Sequence, residues 1–361
     1  TRRSSDLGLT TFTREAFPEE WGIIQNNLGN GYKDRILGNR AENMEQAIAC
    51  YQNALLVYTC NEFPQLWAAT QNNLANAYSD RIYGEKTENL EKAIACYQNA
   101  LRVYTREAFP QQWSTINNNL GAVYSKRIRG DQADNLEMAL QAYHCALEVR
   151  TKEDFPIDWA ATQSNLAIAY SDRIPGNRAE NVEKAITCSQ RALQVYTRSA
   201  FPHPWAMTQN NLAVAYRERI RGDKATNLEM SIQAYYSALE VRTREAFPMD
   251  WAATQSNLAI AYSDRIRGNR ADNLELAIGC SQRALQVYTR EAFPEQWART
   301  QSNLATAYRE LGQIAKALTC YKNALEVFFP TAFPVDCLRV GRNLGDTAFA
   351  AAFWTDRKSV V

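Results

Sequence analysis

The sequence predicts an all-α fold, a solenoid of stacked antiparallel helix pairs, and three observations predict it. Trp21, Trp67, Trp113, Trp159, Trp205, Trp251 and Trp297 stand 46 residues apart at every step. The Phe-Pro ahead of each keeps that interval from Phe17-Pro18 to Phe293-Pro294 and returns 40 residues later at Phe333-Pro334. A period of this length marks an array in which a unit buries its apolar face only against its neighbours. Each period also carries two helical stripes. In the second period Trp67, Leu74, Tyr78 and Ile82 are spaced by seven, four and four, and Leu90, Ala93, Ile94, Tyr97, Ala100, Leu101 and Tyr104 share one face.

Each element has a local cause. The first helix of a unit opens at the proline, whose ring suits the first helical position, while the residue before it is pushed out of the α region. That helix stops at a polar loop such as Tyr83-Gly84-Glu85-Lys86-Thr87-Glu88-Asn89. Glycine recurs there at Gly38, Gly84, Gly130, Gly176, Gly222 and Gly268. Asparagine recurs at Asn43, Asn89, Asn135, Asn181, Asn227 and Asn273 and is read as the cap of the second helix. The second helix runs out near Thr105-Arg106-Glu107-Ala108.

Seven pairs then occupy residues 17–62, 63–108, 109–154, 155–200, 201–246, 247–292 and 293–329. Residues 1–16 read as the tail of an earlier helix, because Leu9 to Phe17 matches Leu101 to Phe109. Residues 330–361 open an eighth unit with Arg342-Asn343-Leu344-Gly345, and no alanine-rich second helix follows at Phe353-Trp354. Neither end shows the polar cap that terminates an array, so the chain reads as a piece of a longer polypeptide. A longer period overlies the first: Asp154 to Thr197 closely matches Ala246 to Thr289, 92 residues on.

The order of large, small and aromatic residues, Leu74-Ala75, Tyr78, Ala93, Tyr97 and Ala100, resembles the tetratricopeptide repeat. The alanine before the final leucine holds throughout, at Ala54, Ala100, Ala146, Ala192, Ala238, Ala284 and Ala324. Units of this length exceed the family's usual one, with extra residues in the inner loop and the inter-repeat turn. The seventh pair lacks the inner insertion and fits best: Leu304-Ala305, Tyr308, Gly312, Ala317, Tyr321, Ala324. The resemblance covers nearly the whole chain and implies a right-handed superhelix with first helices lining its concave side. Segments such as Thr70-Gln71-Asn72-Asn73-Leu74-Ala75 resemble those of kinesin light chains. They are closer to bacterial, often cyanobacterial, arrays that precede a caspase-like CHAT peptidase or a nucleotide-binding signalling module. That resemblance implies a sensor or adaptor arm.

Composition narrows the function. A net charge of +1 and a pI near 7.4 give no case for a nucleic-acid or membrane-surface partner. No apolar run is long enough to span a bilayer, and no secretory signal follows Thr1-Arg2-Arg3. Cys50, Cys96, Cys188, Cys280 and Cys320 share one register of the second helix. Stacked helices lie about 8–10 Å apart, beyond the roughly 7 Å that a disulfide tolerates. Buried reduced thiols fit better and point to a cytoplasmic protein.

The residues predict no catalysis, cofactor or metal. His144 sits beside Cys145, and neighbours on a helix point to different sides. His203 replaces Glu or Gln ahead of Trp205 in one unit, as surface variation. The glycines come singly, with no phosphate-cradling loop. Asp80-Arg81 recurs as Asp34-Arg35, Asp172-Arg173 and Asp264-Arg265 and is lost where the inner insertion is lost, so the arginine is expected to brace that loop.

The candidate site is a column of asparagine. Asn27, Asn73, Asn119, Asn165, Asn211, Asn257, Asn303 and Asn343 precede the same leucine in every unit, although asparagine is a mediocre helix former. The residue three later shares the stripe: Asn30, Asn76, Ala122, Ile168, Val214, Ile260 and Thr306. A carboxamide donates and accepts, so such a column can pair with the backbone of an extended peptide. It resembles the asparagine ladders of long arrays in this family. A structural bond to the neighbouring repeat fits the same residues. The change from Asn30 and Asn76 to Ile168, Val214 and Ile260 favours a ligand with a polar segment and apolar anchors.

The leading reading is a non-catalytic scaffold whose groove binds a peptide or protein segment. The partners expected are that segment and an effector domain beyond this chain. The alternative is a self-assembling array, a dimer or filament through uncapped end repeats.

Overall fold

A computed structural model describes residues 12–358, of which fifteen helices and no strand make up the regular structure. In chain order these are α1 (Pro18–Lys33), α2 (Arg40–Ala54), α3 (Pro64–Asp80), α4 (Lys86–Leu101) and α5 (Pro110–Tyr124). There follow α6 (Gln132–Leu147), α7 (Pro156–Asp172), α8 (Arg178–Ala192), α9 (Pro202–Glu218) and α10 (Lys224–Leu239). The last are α11 (Pro248–Asp264), α12 (Arg270–Ala284), α13 (Pro294–Glu310), α14 (Ile314–Leu325) and α15 (Pro334–Lys358). Most of the segment read as an earlier helix tail lies outside the described residues.

The chain divides into two compact units, one ending at Arg178 and the other beginning at Ala179. In the first unit α1 packs on α2, α3 on α4 and α5 on α6; α2, α4 and α6 each pack on the helix that follows, and α1, α3 and α5 stand side by side. In the second unit α9 pairs with α10, α11 with α12 and α13 with α14, while α9, α11, α13 and α15 adjoin in sequence.

Proline at the first helical position opens the first helices, after a phenylalanine held outside the α region, as at Phe63 with φ −132° and ψ 60°. The turn before it is fixed by a threonine that accepts the backbone N–H three residues on, Ala108 to Thr105 Oγ1 and Ala246 to Thr243 Oγ1. Second helices are capped by Asn39, Asp131, Asp223 and Asn269, each accepting backbone N–H groups of the first turn. This corrects the sequence reading. Asn43, Asn89, Asn135, Asn227 and Asn273 sit four residues further in, buried, and donate back to loop carbonyls, as Asn89 Nδ2 does to Tyr83 O at 2.9 Å. The left-handed glycine closes that loop, with φ between 79° and 88° at Gly38, Gly84, Gly130, Gly176, Gly222 and Gly268.

Ala47, Ala54, Ala93, Ala100, Ala139 and Ala146 are wholly buried at the helix crossings. Their small volume lets the tyrosine rings of Tyr51 and Tyr97 fill the core. Two stripe positions depart from expectation. Ile82 lies past the end of α3 and is exposed, as are Ile36, Ile128, Ile174, Ile220 and Ile266. Tyr104 lies past the end of α4 yet is buried, its hydroxyl donating to Gln65 O at 3.0 Å. At the far end, α15 is one 25-residue helix that contains Arg342-Asn343-Leu344-Gly345. It buries Val340 and Thr347 and exposes 75% of Leu338 and of Phe349.

Candidate peptide-binding face

Polar columns cross the joints between repeats, and one of them is the asparagine column. Asn73 Nδ2 donates to Asn26 Oδ1 at 3.2 Å, Asn119 Nδ2 to Asn76 Oδ1 at 3.3 Å and Asn165 Nδ2 to Asn118 Oδ1 at 3.2 Å. Threonine hydroxyls join them: Thr70, Thr162 and Thr254 share their single protons between the carbonyls of Leu66, Asp158 and Asp250, at 2.8 to 2.9 Å, and the oxygens of Asn26, Asn118 and Asn210, at 3.1 to 3.3 Å. Sequence reasoning missed these threonines, although their recurrence at Thr70, Thr162, Thr208, Thr254 and Thr300 carried the signal.

These contacts do not bury the column. Asn73, Asn119, Asn165, Asn211, Asn257 and Asn303 are half-buried and Asn27 is exposed. Asn27, Asn257 and Asn303 make no side-chain hydrogen bond among the described residues, and the buried Nδ2 of Asn211 has no partner. Asn30 and Asn76 are partly committed inside their own repeats, accepting from Tyr51 and Tyr97 hydroxyls at 2.8 and 2.6 Å. Ile168 is exposed on the same face of α7, and Val214 and Ile260 are half-buried on α9 and α11. In the first unit a depression of about 330 Å³ lies between α3 and α5, and Asn72, Asn73, Tyr104 and Ile116 are among the residues that line it.

The second column runs from second helix to next first helix. Gln52, Gln98, Gln190 and Gln282 bond the hydroxyls of Tyr78, Tyr124, Tyr216 and Tyr308 at 3.0 to 3.4 Å. His144 occupies this register and meets Tyr170 Oη at 2.9 Å. That contact explains the histidine as a joint rather than a base.

The third column is ionic. Arg81, Arg127, Arg173, Arg219 and Arg265 each lay Nε on a glutamate of the preceding repeat at 2.5 to 2.8 Å, on Glu45, Glu91, Glu137, Glu183 and Glu229. The Nη2 atoms bond the second carboxylate oxygens at 2.6 to 2.9 Å. Arg81, Arg127 and Arg265 also place Nη1 on Asn89, Asn135 and Asn273. The arginine thus braces its loop, as its residue pattern implied, and ties the loop to the previous repeat as well. The arginine hydrogen bond holds the Glu45, Glu91, Glu183 and Glu229 carboxyls below their ordinary value.

Other titratable groups are engaged structurally. His203 is not surface variation: its Nε2 lies 3.0 Å from Asp250 Oδ2 of the next repeat and its ring 4.7 Å from Phe247. Asp250 also faces the buried Arg242 at 3.7 Å, and Asp158 faces buried Arg150 at 3.8 Å, one 92-residue step earlier. All eight cysteines are free, and burial pushes the Cys50, Cys96 and Cys188 thiols up to about 11, which disfavours the nucleophilic thiolate. Among the described residues no cluster of His, Cys, Asp and Glu is placed to hold a metal, and no helix is long and apolar enough to cross a membrane.

Residues 269–328 match the sequence model of the tetratricopeptide repeat. Among solved structures, the apo form of RapI aligns over 97% of this chain and 97% of its own, at 11% identity and a TM-score of 0.51. The C-terminal part of a tetratricopeptide repeat-containing protein from Cytophaga hutchinsonii covers 85% of this chain and 95% of its own, at 12% identity and 0.47. A signal transduction ATPase with a tetratricopeptide repeat sensor, from Pyrococcus horikoshii, covers 98% of this chain at 14% identity and 0.47, and the chain spans 56% of that protein. No curated protein sequence matches the chain. The periodic helix pairs and their alanine crossings make the chain an array of helical repeats, of which residues 269–328 match the tetratricopeptide repeat.

Proposed function

We propose that the chain is a non-catalytic interaction scaffold whose first-helix face holds an extended peptide or protein segment. The observation that carries this reading is the row of half-buried carboxamides, Asn73, Asn119 and Asn165 in one unit and Asn211, Asn257 and Asn303 in the other. A carboxamide offers two N–H donors and an oxygen with two lone pairs, and each inter-repeat bond uses one of the donors. The rest are suited to a peptide backbone, with binding spread over several repeats. Ile168 and Ile260 supply apolar contact on the same face. The role of sensor or adaptor arm in a larger signalling protein rests on the resemblance to arrays that precede effector domains.

The test is selection of displayed linear peptides on the intact chain, followed by affinity measurements on variants. Ile168→Glu and Ile260→Glu place charge on the first-helix face and should weaken selected peptides by about tenfold, roughly 1.4 kcal/mol. Ala95→Glu and Gln233→Glu, at exposed second-helix positions, should leave binding unchanged. The reverse pattern refutes the reading. A second reading, self-association through an end repeat, is favoured by Leu338 and Phe349, both largely exposed on α15. Sedimentation across a concentration series decides it: growth of larger species that Leu338→Glu abolishes supports assembly, and a constant monomer opposes it.

A further inference from the structure

One joint in the first unit lacks the bond that its neighbours make. Thr70 Oγ1 reaches Asn26 Oδ1 at 3.3 Å and Thr162 Oγ1 reaches Asn118 Oδ1 at 3.1 Å. In α5 the same register is Ile116. The acceptor left without its threonine is Asn72, whose Oδ1 is buried and has no hydrogen-bond partner. The second donor is missing too. Asn73 and Asn165 serve Asn26 and Asn118, whereas Asn119 turns to Asn76. A buried acceptor stripped of both donors is unfavourable unless something else supplies an N–H.

The same joint holds the depression of about 330 Å³ between α3 and α5. Asn72 lines it together with Ala69, Gln111, Gln112 and Thr115, and its lining carries no carboxylate and no cation. The last torsion of an asparagine is soft, so a modest turn of the Asn72 amide presents its oxygen to the depression.

We propose that this depression receives a neutral primary carboxamide, of the kind carried by glutamine or asparagine side chains, with Asn72 Oδ1 accepting its N–H. Gln111 and Gln112 donate to the ligand oxygen. The proposal rests on the peptide-binding reading of this face and adds the residue class that the first unit selects. Competing chemistries fit worse. A carboxylate has no donor and would set its lone pairs against the Asn72 oxygen. An ammonium would be desolvated with no lining carboxylate to balance it. A thioether or alkyl group would leave the acceptor unpaired.

The experiment is a methyl NMR titration of the full chain with N-acetylglutamine methylamide, and with its glutamate and methionine counterparts. The glutamine probe should shift the Ala69 and Ile116 methyl resonances saturably, and the other two should bind about tenfold more weakly or not at all. Ile116→Thr restores the inter-repeat donor and should weaken the glutamine probe by about tenfold. Asn72→Ala removes the acceptor without touching Ile116 and should do the same, which guards against misfolding of the first variant. Equal shifts from all three probes, no shift from any, or full binding by a folded Ile116→Thr or Asn72→Ala chain overturns the proposal. The peptide reading fails separately, through Ile168→Glu and Ile260→Glu, neither of which lines this depression. Selected peptides that bind the face without regard to glutamine or asparagine overturn the carboxamide site alone.

Discussion

Removing one guanidinium tests whether the ionic column couples repeats. Arg127 bonds Glu91 through Nε and Nη2 at 2.7 and 2.8 Å and Asn135 Oδ1 through Nη1 at 3.4 Å. The two ionic side chains are 23% and 22% exposed. Exposed pairs contribute about 0.2–1 kcal/mol, and a bidentate, partly buried fork belongs at the top of that range, about 1 kcal/mol. Loss of the arginine also takes a donor from the buried Asn135, costing about 1 kcal/mol more. Arg127→Ala should therefore destabilise by about 2 kcal/mol, Glu91→Ala by about 1, and the double variant by about 2, a coupling of about 1 kcal/mol. The first unit ends at Arg178, and in a body of that size Arg127→Ala lowers Tm by about 4–8 °C.

The assay is a double-mutant cycle by urea unfolding, repeated against pH. The Glu91 carboxyl is held below its ordinary 4.5, first by the Arg127 hydrogen bond. A depressed carboxyl stabilises the fold above its unfolded pKa, and that stabilisation is lost as pH falls through the folded pKa. Stability should thus drop below about pH 4.5, and less steeply in Arg127→Ala. Coupling under about 0.3 kcal/mol, or equal costs for the two single variants, refutes the reasoning.

Three other outcomes follow from the same geometry. His144→Gln should be neutral within about 0.5 kcal/mol, because glutamine makes this bond in four other repeats, whereas His144→Ala should lose about 1 kcal/mol with the Tyr170 contact, both read by chemical denaturation. Gly130→Ala places a side chain at φ 85° and should cost about 1 kcal/mol by the same measurement. Burial and a thiol pushed up to about 11 should keep Cys188 unreactive toward a disulfide reagent at neutral pH until the chain unfolds, while the partly exposed Cys60 reacts in the native state; mass spectrometry of the labelled chain reads the order.

The fold was legible because a 46-residue period repeats its own evidence, so a stripe ambiguous in one unit is decided by the next. What the period could not decide was which of two polar residues makes which bond. Asn39 and Asn43 both stand at the start of α2, and both are good caps by type. Only the backbone shows that Asn39 caps while Asn43 lies inside the helix with its amide returned to the loop. His203 was opaque for a similar reason. Its partner Asp250 is 47 residues away and occurs only where Arg242 needs a counter-charge. The asparagine column was legible as a column and ambiguous as a site. Its chemistry serves a neighbouring asparagine and a passing backbone equally well, and the structure shows the first use at Asn73, Asn119 and Asn165 without exhausting their donors.

The seventh repeat supplies an internal control on why the units are so long. It lacks the inner insertion, and Gly312-Gln313 leads straight from α13 to α14. Leu311 follows the last residue of α13, the place that the pairing arginine takes after α3, α7, α9 and α11. In the preceding repeat Glu275, the counterpart of Glu229, is exposed and makes no ion pair among the described residues. Loop, arginine and ion pair are therefore lost together, although α12 still packs on α13 and Gln282 still bonds Tyr308. Helix packing, the Gln282 bond and the ion pairs of Arg270 with Glu310 and of Arg290 with Glu326 seat one repeat on the next here without the arginine fork. The insertion then acts as a clasp added to that packing: it carries a guanidinium back across the joint to a glutamate that would otherwise face solvent, and stiffens a face already built to stack.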